Sequence, residues 1–477
     1  MTIADDIIKP SQVDVVSANS GHAVNLTKIE VAGAEQFSDR FLQTALSPLL
    51  GSSDFTVSQL ATSAESSASY FEGTECFKNV HFLIENDQDY KTHVSSLLAL
   101  EVPLNLKVKL DLDPQPLKRV HVGSLYQSQL GNLVSLRYTN KNAFGDAKYV
   151  ELGTTLSLLE DQKAKSIDAT YRAPMADTSV KMFATGSFKN ESIPAFQSRQ
   201  QLATTATVGF EKSYNYAPTG ISGSVIAGLA VAKLSVLDVA DSANDEIKTY
   251  AGDNLKESLL LSADAGKLSF LPSSQGAFAT EGSRVVLKNE LAGFLPKEDN
   301  ASTSSKFQDA FHKLELTGKY FRSLLDNQLT VACELGFGNL ANLARNSKTV
   351  HFQDKFYVPI VGYKTLGLDK RATEKVGGLA YLYYKFSLYS RFLFASETIP
   401  LRAYASLTGA KLSENLTDLI STSTSDVEFK STASLGMLYK VGDSAYCDIG
   451  YNWPLNNKEI DSTRPGLAVS VSLYGDY

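Results

Sequence analysis

Histidine and cysteine are the residue types in this sequence that could hold a metal ion or act as a nucleophile. The histidines form no HExxH pair, the spacing that places two imidazoles on one helix face in zinc proteases. They are widely spread, at His22, His81, His93, His121, His312 and His351. The cysteines are odd in number and lack zinc spacing; they are Cys76, Cys333 and Cys447. We therefore predict no catalytic residues, no metal site and no disulfide framework, and we interpret the histidines as surface or rim residues.

Phosphate-binding signals are equally weak. The sequence contains no GxxxxGK[ST] loop, and GFGNLA at residues 336–341 matches the GxGxxA fingerprint without a βαβ unit around it. A strand end that runs into a turn explains this segment better. The formal net charge of −7 argues against nucleic acid, because phosphate binding needs a basic surface. We expect no cofactor and no nucleic-acid partner.

The elements that could position a site fall into two regions. Residues 1–22 are polar and show neither a secretory signal nor a typical mitochondrial presequence, so we predict a disordered N-terminus. Residues 23–115 mix both periodicities. Strands are predicted at residues 26–33, 77–87 and 102–112, and helices after Ser38 and Thr56, which are suitable N-cap residues. This β-α-α-β-β order predicts one small α+β domain.

Beyond residue 112 helical periodicity nearly vanishes. Segments of about ten residues alternate between apolar and polar side chains, as in NQLTVACELGF at residues 327–337. No segment has the roughly 20 apolar residues of a spanning helix. The nearest, ISGSVIAGLAVAKLSVL at residues 221–237, contains glycines, serines and a lysine, and we interpret it as a long strand or strand-pair edge.

Strand length favours a membrane barrel over a soluble β-sandwich, whose strands alternate in the same way. Sandwich strands average about five or six residues, whereas these segments are nearer the 9–11 of a tilted strand that crosses a bilayer. About sixteen candidates lie between residues 132 and 474, an even number as such barrels require. The mean hydropathy of −0.12 fits a barrel, because lumen-facing residues offset the apolar outer face. We predict a mainly β protein, with a sixteen-stranded antiparallel transmembrane barrel over residues 125–477.

The last segment, RPGLAVSVSLYGDY, carries the most specific pattern. Apolar and small polar residues alternate through it, which predicts a final closing strand. Its start matches the eukaryotic β-signal of a polar residue, a glycine and two spaced hydrophobic residues, here Arg464, Gly466, Val469 and Val471. An exposed strand edge with fixed alternation is a template for pairing by strand addition.

Several segments, in order, resemble the core barrel subunit of the mitochondrial sorting and assembly machinery, which has one polypeptide-transport-associated (POTRA) domain before a sixteen-stranded barrel. NLVSLRYTNKNAFGDAKYVELGTTL at residues 132–156 looks like the first hairpin of this family. EGSRVVLKNELAGF, VGGLAYLYYKFSLYSRF, PLRAYASLTGAKL and the terminal RPGLAVSVSL are similar to later strands. The α+β region is then identified as a POTRA-like domain.

The resemblance implies a non-enzymatic insertase of the mitochondrial outer membrane, with the POTRA-like domain in the intermembrane space. Its partners would be β-barrel precursor proteins, peripheral assembly subunits on the cytosolic side, the lipid bilayer and an inner-membrane organising complex. A lateral gate is expected between a first strand at residues 132–140 and a last strand at residues 466–474. The gate residues implied are Asn132, Val134, Leu136, Tyr138, Gly466, Val469 and Val471.

One loop departs from the family pattern. DKFYVPIVGYKTLGLDKR at residues 354–371 corresponds to the inward-folded sixth loop, which reads DRFFLGGPTSLRGF in the family. The residues that align are Asp354, Lys355, Phe356, Gly362, Tyr363 and Gly367, and Val361 replaces the signature arginine. In the family that arginine is implied to tie the loop to acidic wall residues, so a tie here would need Lys355 or Lys364. A divergent or regulatory paralogue is therefore an open alternative.

Two other classes remain as alternatives. One is a porin-like or protein-conducting channel of the outer membrane, such as the voltage-dependent anion channel or the translocase barrel. Those families have nineteen strands and an N-terminal helix inside the lumen rather than an α+β domain. A soluble all-β interaction protein would be released by carbonate extraction, whereas a barrel would stay in the membrane pellet.

Overall fold

The structure is a computed structural model of the 477-residue chain. It describes residues 20–87, 103–127, 131–157, 165–192, 200–216, 218–241, 243, 245–271, 278–295, 309–343, 350–358, 360, 368–371, 374–392, 399–420, 429–441, 445–455 and 465–476. Most of the predicted disordered N-terminus, residues 1–19, lies outside this part of the chain. None of the described helices is long and apolar enough to span a bilayer.

The N-terminal domain has the predicted mixture of strands and helices. Its elements are β1 (Ala23–Ala32), α1 (Asp39–Ala45), α2 (Ser47–Leu50), β2 (Asp54–Thr56), α3 (Val57–Gly73), β3 (Phe77–Asn86) and β4 (Leu104–Pro114). The sheet order is β2-β1-β4-β3, with β1 and β4 parallel. This is an α+β arrangement consistent with a POTRA-like domain. The short β2 was not predicted.

Local sequence explains where the two main helices begin. The Ser38 side chain accepts a hydrogen bond from the backbone N–H of Phe41 and caps α1. Thr56 and Gln59 form a reciprocal capping box at the start of α3. The helices bury Phe41 and Phe71, whose rings meet edge to face, and Phe71 meets Phe77 of β3 in the same way.

Sixteen antiparallel strands close into a barrel. They are β5 (Lys118–Gln127), β6 (Gly131–Ala143), β7 (Lys148–Ser157), β8 (Lys165–Pro174), β9 (Val180–Ser192), β10 (Gln200–Tyr216), β11 (Ile221–Leu237), β12 (Gly252–Phe270), β13 (Ala279–Phe294), β14 (Asp309–Leu324), β15 (Leu329–Asn342), β18 (Ala380–Arg391), β19 (Leu401–Ser413), β20 (Lys430–Val441), β21 (Ala445–Pro454) and β22 (Gly466–Asp476). Two further strands, β16 (Leu368–Arg371) and β17 (Glu374–Val376), lie between β15 and β18 along the chain and form a small separate hairpin. Two short helices, α4 (Asp245–Thr249) and α5 (Leu416–Ile420), follow β11 and β19.

The predicted first strand was wrong, although the fold class is as predicted. The barrel begins at Lys118, before the expected start at residue 125, and residues 132–140 belong to its second strand, β6. Only fifteen of the strands therefore lie in the range where sixteen were counted. Segment KRVHVGSLYQ of β5 was missed because two basic residues and a glycine weaken its alternation.

Strand length differs strongly around the barrel. β12 has 19 residues and β11 has 17, whereas β5 and β21 have 10 each and β22 has 11. At about 3.3 Å per residue the longest strand measures roughly 60 Å along its axis and β22 roughly 35 Å. We call β10–β15 the tall wall. The expected strand length of 9–11 residues holds only near the short side.

The N-terminal domain is fixed to one edge of the barrel, which we call the proximal side; the opposite edge is the distal side. The backbone N–H of Ser38 donates to the carbonyl of Gly145 at 2.9 Å, and the Ser38 hydroxyl donates to Asp146 at 2.6 Å. Asn142 donates to the Gln36 carbonyl at 2.7 Å. Gly145 has φ of +79°, and a Cβ there would approach Ser38 N to 3.0 Å, so glycine suits this position on both counts. The domain thus rests on the turn between β6 and β7.

Candidate functional site: the closing seam and the inward loop

The closing seam is the pairing between β22 and β5. Its register runs from Ala468 opposite Gln127 to Asp476 opposite Arg119. Gly466 and Leu467 at the start of β22 pair with Asn452 and Tyr451 of β21; on the other side the described register ends at Gln127, because residues 128–130 lie outside the described residues. The tall wall is paired far more extensively: β10 and β11 pair from Gln200 opposite Leu237 to Tyr216 opposite Ile221. The seam therefore joins two of the shortest strands, and its described register is shorter than the register between β10 and β11.

The predicted gate residues fall on both sides of this seam, though not as expected. Gly466, Val469 and Val471 lie on β22. Asn132, Val134, Leu136 and Tyr138 lie on β6, one strand beyond the seam, and pair with Tyr126, Ser124, Val122 and Val120 of β5. The residues that face β22 across the seam are those β5 residues. Arg464 of the β-signal lies outside the described residues.

A cavity of about 300 Å³ lies on the lumen side of the seam. Small and polar residues line it, among them Gly123, Ser135, Gly153, Ser470 and Ser472. The outward residues of the same strands are apolar, with Leu467 and Leu473 of β22 exposed. The seam therefore has the water-facing and lipid-facing sides expected of a barrel wall.

Charged groups stand beside this cavity on the inner wall. Arg137 lies 3.4 Å from Glu151 and 4.0 Å from Asp168, so three neighbouring strands share one cation. Arg172 and Glu211 make a similar pair at 3.6 Å. Pairs of this kind at half-exposed positions contribute little stability, about 0–1 kcal/mol each.

On the other flank of the seam a tyrosine pair holds a carboxylate. The Tyr404 hydroxyl donates to Asp448 at 2.9 Å, and the Tyr446 hydroxyl donates to the same carboxylate at 3.2 Å. Tyr404 lies over Gly436 and Gly450, where an added Cβ would come within 2.6 Å and 2.3 Å of its hydroxyl oxygen. Glycines inside strands mark such close approaches, and this was the sequence signal that could have revealed the cluster.

The inward loop, residues 350–358, lies within the barrel near the distal side. Phe356 forms an isolated antiparallel bridge with Gly378 and packs edge-to-face on Tyr381 at 4.8 Å. Val350 and Val358 join the same buried cluster as Phe311 and Leu340 of the wall. The inward loop is thus held by apolar contacts with the tall wall and with β18 and β19. The predicted loop extends to residue 371, and residues 359 and 361–367 of it lie outside the described residues.

A buried ion cluster ties this loop to the wall. Lys256 of β12 lies 2.5 Å from Asp354 of the loop and 3.0 Å from Glu290 of β13. The Lys313 ammonium donates to the Asp354 carbonyl at 2.9 Å and stands 4.7 Å from the Phe356 ring centre. The Lys256 and Asp354 side chains are only 12 % and 7 % exposed.

This pair differs from the one expected of Lys355 or Lys364, in which a loop cation would meet acidic wall residues. The polarity is reversed: the wall supplies the lysine and the loop supplies the carboxylate. Lys355 is itself buried. Val361, Gly362, Tyr363, Lys364 and Gly367 lie outside the described residues.

A second anchor precedes the first. His351 is fully buried and stacks on Phe294 at 5.0 Å and on Phe352 at 4.8 Å. Phe352 packs with Ile247 of α4 and with Tyr250. His351 is therefore a buried residue of the inward loop, and the surface or rim interpretation was wrong for it. Together the two anchors fix the inward loop to the tall wall and to the distal segment between β11 and β12.

Within the described ranges, no group of three or more histidine, cysteine, aspartate or glutamate side chains is placed to hold a metal ion. The Cys76 thiol is fully buried beside the Lys141 carbonyl, and burial raises its pKa to about 11. What the site offers is a strand seam, a cavity behind it and a tethered loop.

Comparison with known structures agrees with this geometry. BamA from Haemophilus ducreyi, in a structure that lacks its POTRA domains 1–3, superposes with a TM-score of 0.66 at 13% identity, over 95% of this chain and 85% of that one. CdiB from Acinetobacter baumannii gives 0.56 at 12% identity, over 95% and 74%. CdiB from Escherichia coli gives 0.52 at 12% identity, over 100% and 99%. These likenesses show the fold alone.

No curated protein matches the sequence. The family model described as the Omp85 superfamily domain matches residues 142–473, which is more than half of the chain. That span begins at the end of β6, runs through the inward loop and includes most of β22. The chain belongs to the Omp85 superfamily.

Proposed function

We propose that this protein folds β-barrel precursors and inserts them into the mitochondrial outer membrane through the seam between β5 and β22. An Omp85-type barrel fits machinery for barrel insertion or for secretion in general. The observation that favours insertion is the seam itself, where the strand with the β-signal pattern meets β5 through short strands. No covalent chemistry is required, so the protein acts as an insertase and not as an enzyme.

Strand exchange is the physical step. A precursor's terminal strand pairs with the exposed edge of β5 while β22 leaves it, so one set of backbone hydrogen bonds replaces another. An unpaired edge in lipid would cost several kcal/mol for each unsatisfied group. Exchange avoids most of that cost.

Strand length supports the same step. With a tilt of about 40°, β22 spans roughly 27 Å of height and β12 roughly 45 Å. The short side is thus lower than the roughly 30 Å hydrocarbon core of a typical bilayer, whereas the tall wall exceeds it. A thinner protein wall compresses the adjoining lipid, and a compressed bilayer opposes the entry of a new strand less.

The remaining parts have assigned roles in this proposal. The N-terminal domain faces the intermembrane space and receives precursors, and peripheral subunits bind on the cytosolic side. An inner-membrane organising complex is a further proposed contact. The inward loop, fixed by Lys256 and by the His351 cluster, stiffens the tall wall so that the seam is the part that opens.

Site-specific crosslinking tests the proposal. Single cysteines replace Val122 on β5 or Leu473 on β22, which are register partners, in a chain with Cys447→Ala. A barrel precursor arrested in mitochondria, with a cysteine in its last strand, is then oxidised. We expect adducts at both positions. A cysteine in place of Leu229, which is outward and exposed on the tall wall, is the matched control and should stay unlinked.

Adducts at neither seam position, together with efficient disulfide formation in the double variant V122C/L473C, would show that the seam does not open. A secretion pore that uses the lumen is the second candidate, supported by the polar inner wall. It predicts adducts at lumen-facing positions such as Ser135 instead, and conductance in planar bilayers that rises with a transported chain.

A further inference from the structure

Three polar side chains interrupt the apolar outer face of the tall wall, and we call them the outer polar patch. They are Asn289 of β13, His312 of β14 and Asn339 of β15. Their neighbours Lys288, Glu290 and Lys313 face the lumen side, where Glu290 and Lys313 contact Lys256 and the inward loop. Strand alternation therefore points the patch outward.

The surroundings of the patch are apolar. Asn289 pairs with Leu261 and Leu314, and His312 pairs with Leu291 and Ala341. Leu261 and Leu291 are about half exposed, as lipid-facing residues are. Further along β14 the outward residues are Leu316, Gly318 and Tyr320, so the patch lies at the distal end of the apolar belt.

Only part of the hydrogen-bonding capacity of the patch is used within the protein. The His312 Nε2 and Asn289 Oδ1 atoms are 3.1 Å apart. Within the described part of the chain, the Asn339 side chain makes no hydrogen bond. An asparagine amide carries two donors and an acceptor. Polar groups are costly in a bilayer and mark functional positions when they persist there.

We propose that the outer polar patch is a docking site for a membrane-spanning α-helix of another protein, which supplies a hydrogen-bonding side chain within the bilayer. Asparagine and histidine are among the polar side chains that hydrogen-bond across packed membrane helices. The small side chains of Ala310, on the distal side of His312, and of Ala341, beside it on β15, leave room for close approach.

The uncharged surroundings of the patch favour a membrane-spanning helix over a lipid headgroup as its ligand. A phosphate would be bound by lysine or arginine, and the register partners of the patch are leucines and alanines. The patch is also far from the seam in strand order, because it lies on β13–β15. A helix docked here would leave β5 and β22 free.

The test uses the full chain in its own membrane. A photo-crosslinking residue, p-benzoylphenylalanine, replaces Leu314, which lies between Asn289 and Asn339 in register. The matched control carries it at Leu229, an exposed outward position on β11. We expect an adduct from position 314 alone, with a crosslinked peptide inside an apolar span of about 20 residues.

The variant N289L/H312L/N339L decides what the patch does. We expect about a tenfold loss of that adduct, as for the loss of two or three weak hydrogen bonds in a bilayer. The same variant in lipid vesicles should unfold in urea at the wild-type concentration or higher, because leucine suits the lipid face. An unchanged adduct, adducts with lipid or with a second copy of this chain only, or a lower urea midpoint would each overturn the proposal.

Discussion

Lys256 is the residue whose partners join three separate parts of the chain. It bonds Asp354 of the inward loop and Glu290 of the wall while largely buried. Removing one member of a buried pair leaves an uncompensated charge, which costs about 3–5 kcal/mol. We expect Lys256→Met to lower the urea midpoint and to make residues 350–358 accessible to protease.

A charge exchange supplies the control. The double variant K256D/D354K keeps opposite charges at both positions and should recover part of the lost stability. Lys233→Met removes a lysine whose partner, Asp253, is 2.8 Å away but exposed, so its effect should be small. Equal losses for both single lysine variants would contradict the assigned role of Lys256.

Gly450 shows how a glycine serves a neighbouring side chain. An added methyl would come within 2.3 Å of the Tyr404 hydroxyl oxygen and displace it from Asp448. We expect Gly450→Ala to cost about 1–3 kcal/mol, the usual range for overpacking. In a Tyr404→Phe background the same change should cost less, because the hydroxyl is already absent. Additive losses in this double-mutant cycle, measured by urea unfolding, would refute the steric account.

Side-chain partners were the least predictable part of the site. Lys256 and Asp354 lie on different elements, and nothing in either local sequence marks the other. The family pattern directed attention to the missing arginine at Val361, whereas the carboxylate of Asp354 makes the contact. Pairing across a barrel lumen depends on register, which alternation alone does not fix.

At the scale of elements, Asp146 controls the joint between the N-terminal domain and the barrel. Hydrogen bonds from Lys148 and Ser38 hold the pKa of Asp146 below its ordinary value. A lowered folded pKa gives stabilisation that is present above the unfolded pKa, near 3.9, and is lost as the pH falls through the folded value. We expect the domain to loosen from the barrel only below about pH 4.

Asp146→Asn should remove this acid dependence and speed maleimide labelling of Cys76 at neutral pH, since that thiol is buried beside Lys141 of the barrel. Asp177 in the next proximal turn is the matched control: its pKa is also lowered, by hydrogen bonds from Ser179. Asp177→Asn should leave Cys76 protected. Faster labelling in both variants would mean that the turns loosen together.

Elements with strong local signals were predicted well. Ser38 and Thr56 cap helices as expected, and the segment at residues 221–237 is one strand of 17 residues. β5 was missed, and with it the true partner of β22, because KRVHVGSLYQ carries charge at its start and a glycine at its centre. Strand number was thus easier to predict than strand identity at the seam.

At the scale of the whole molecule, the seam should be separable from the rest of the barrel. Cysteines at the register partners Val122 and Leu473, with Cys447→Ala, should form a disulfide that blocks insertion of precursors. A reductant should restore it. The pair L136C/L473C, which spans two strands, should not crosslink and should stay active. Full activity of the oxidised V122C/L473C chain would exclude seam opening.

The register of the seam also sets the order in which this protein itself can fold. Most strand pairs join neighbours along the chain, and such hairpins close short loops. Arg119 and Asp476, in contrast, are more than 350 residues apart when they pair. Contacts at such separation form late and slowly, since loop closure must precede any gain. The edge of β5 therefore stays unpaired until β22 has formed. During that time the newly made chain is an unclosed barrel, the kind of substrate that the proposed function acts on.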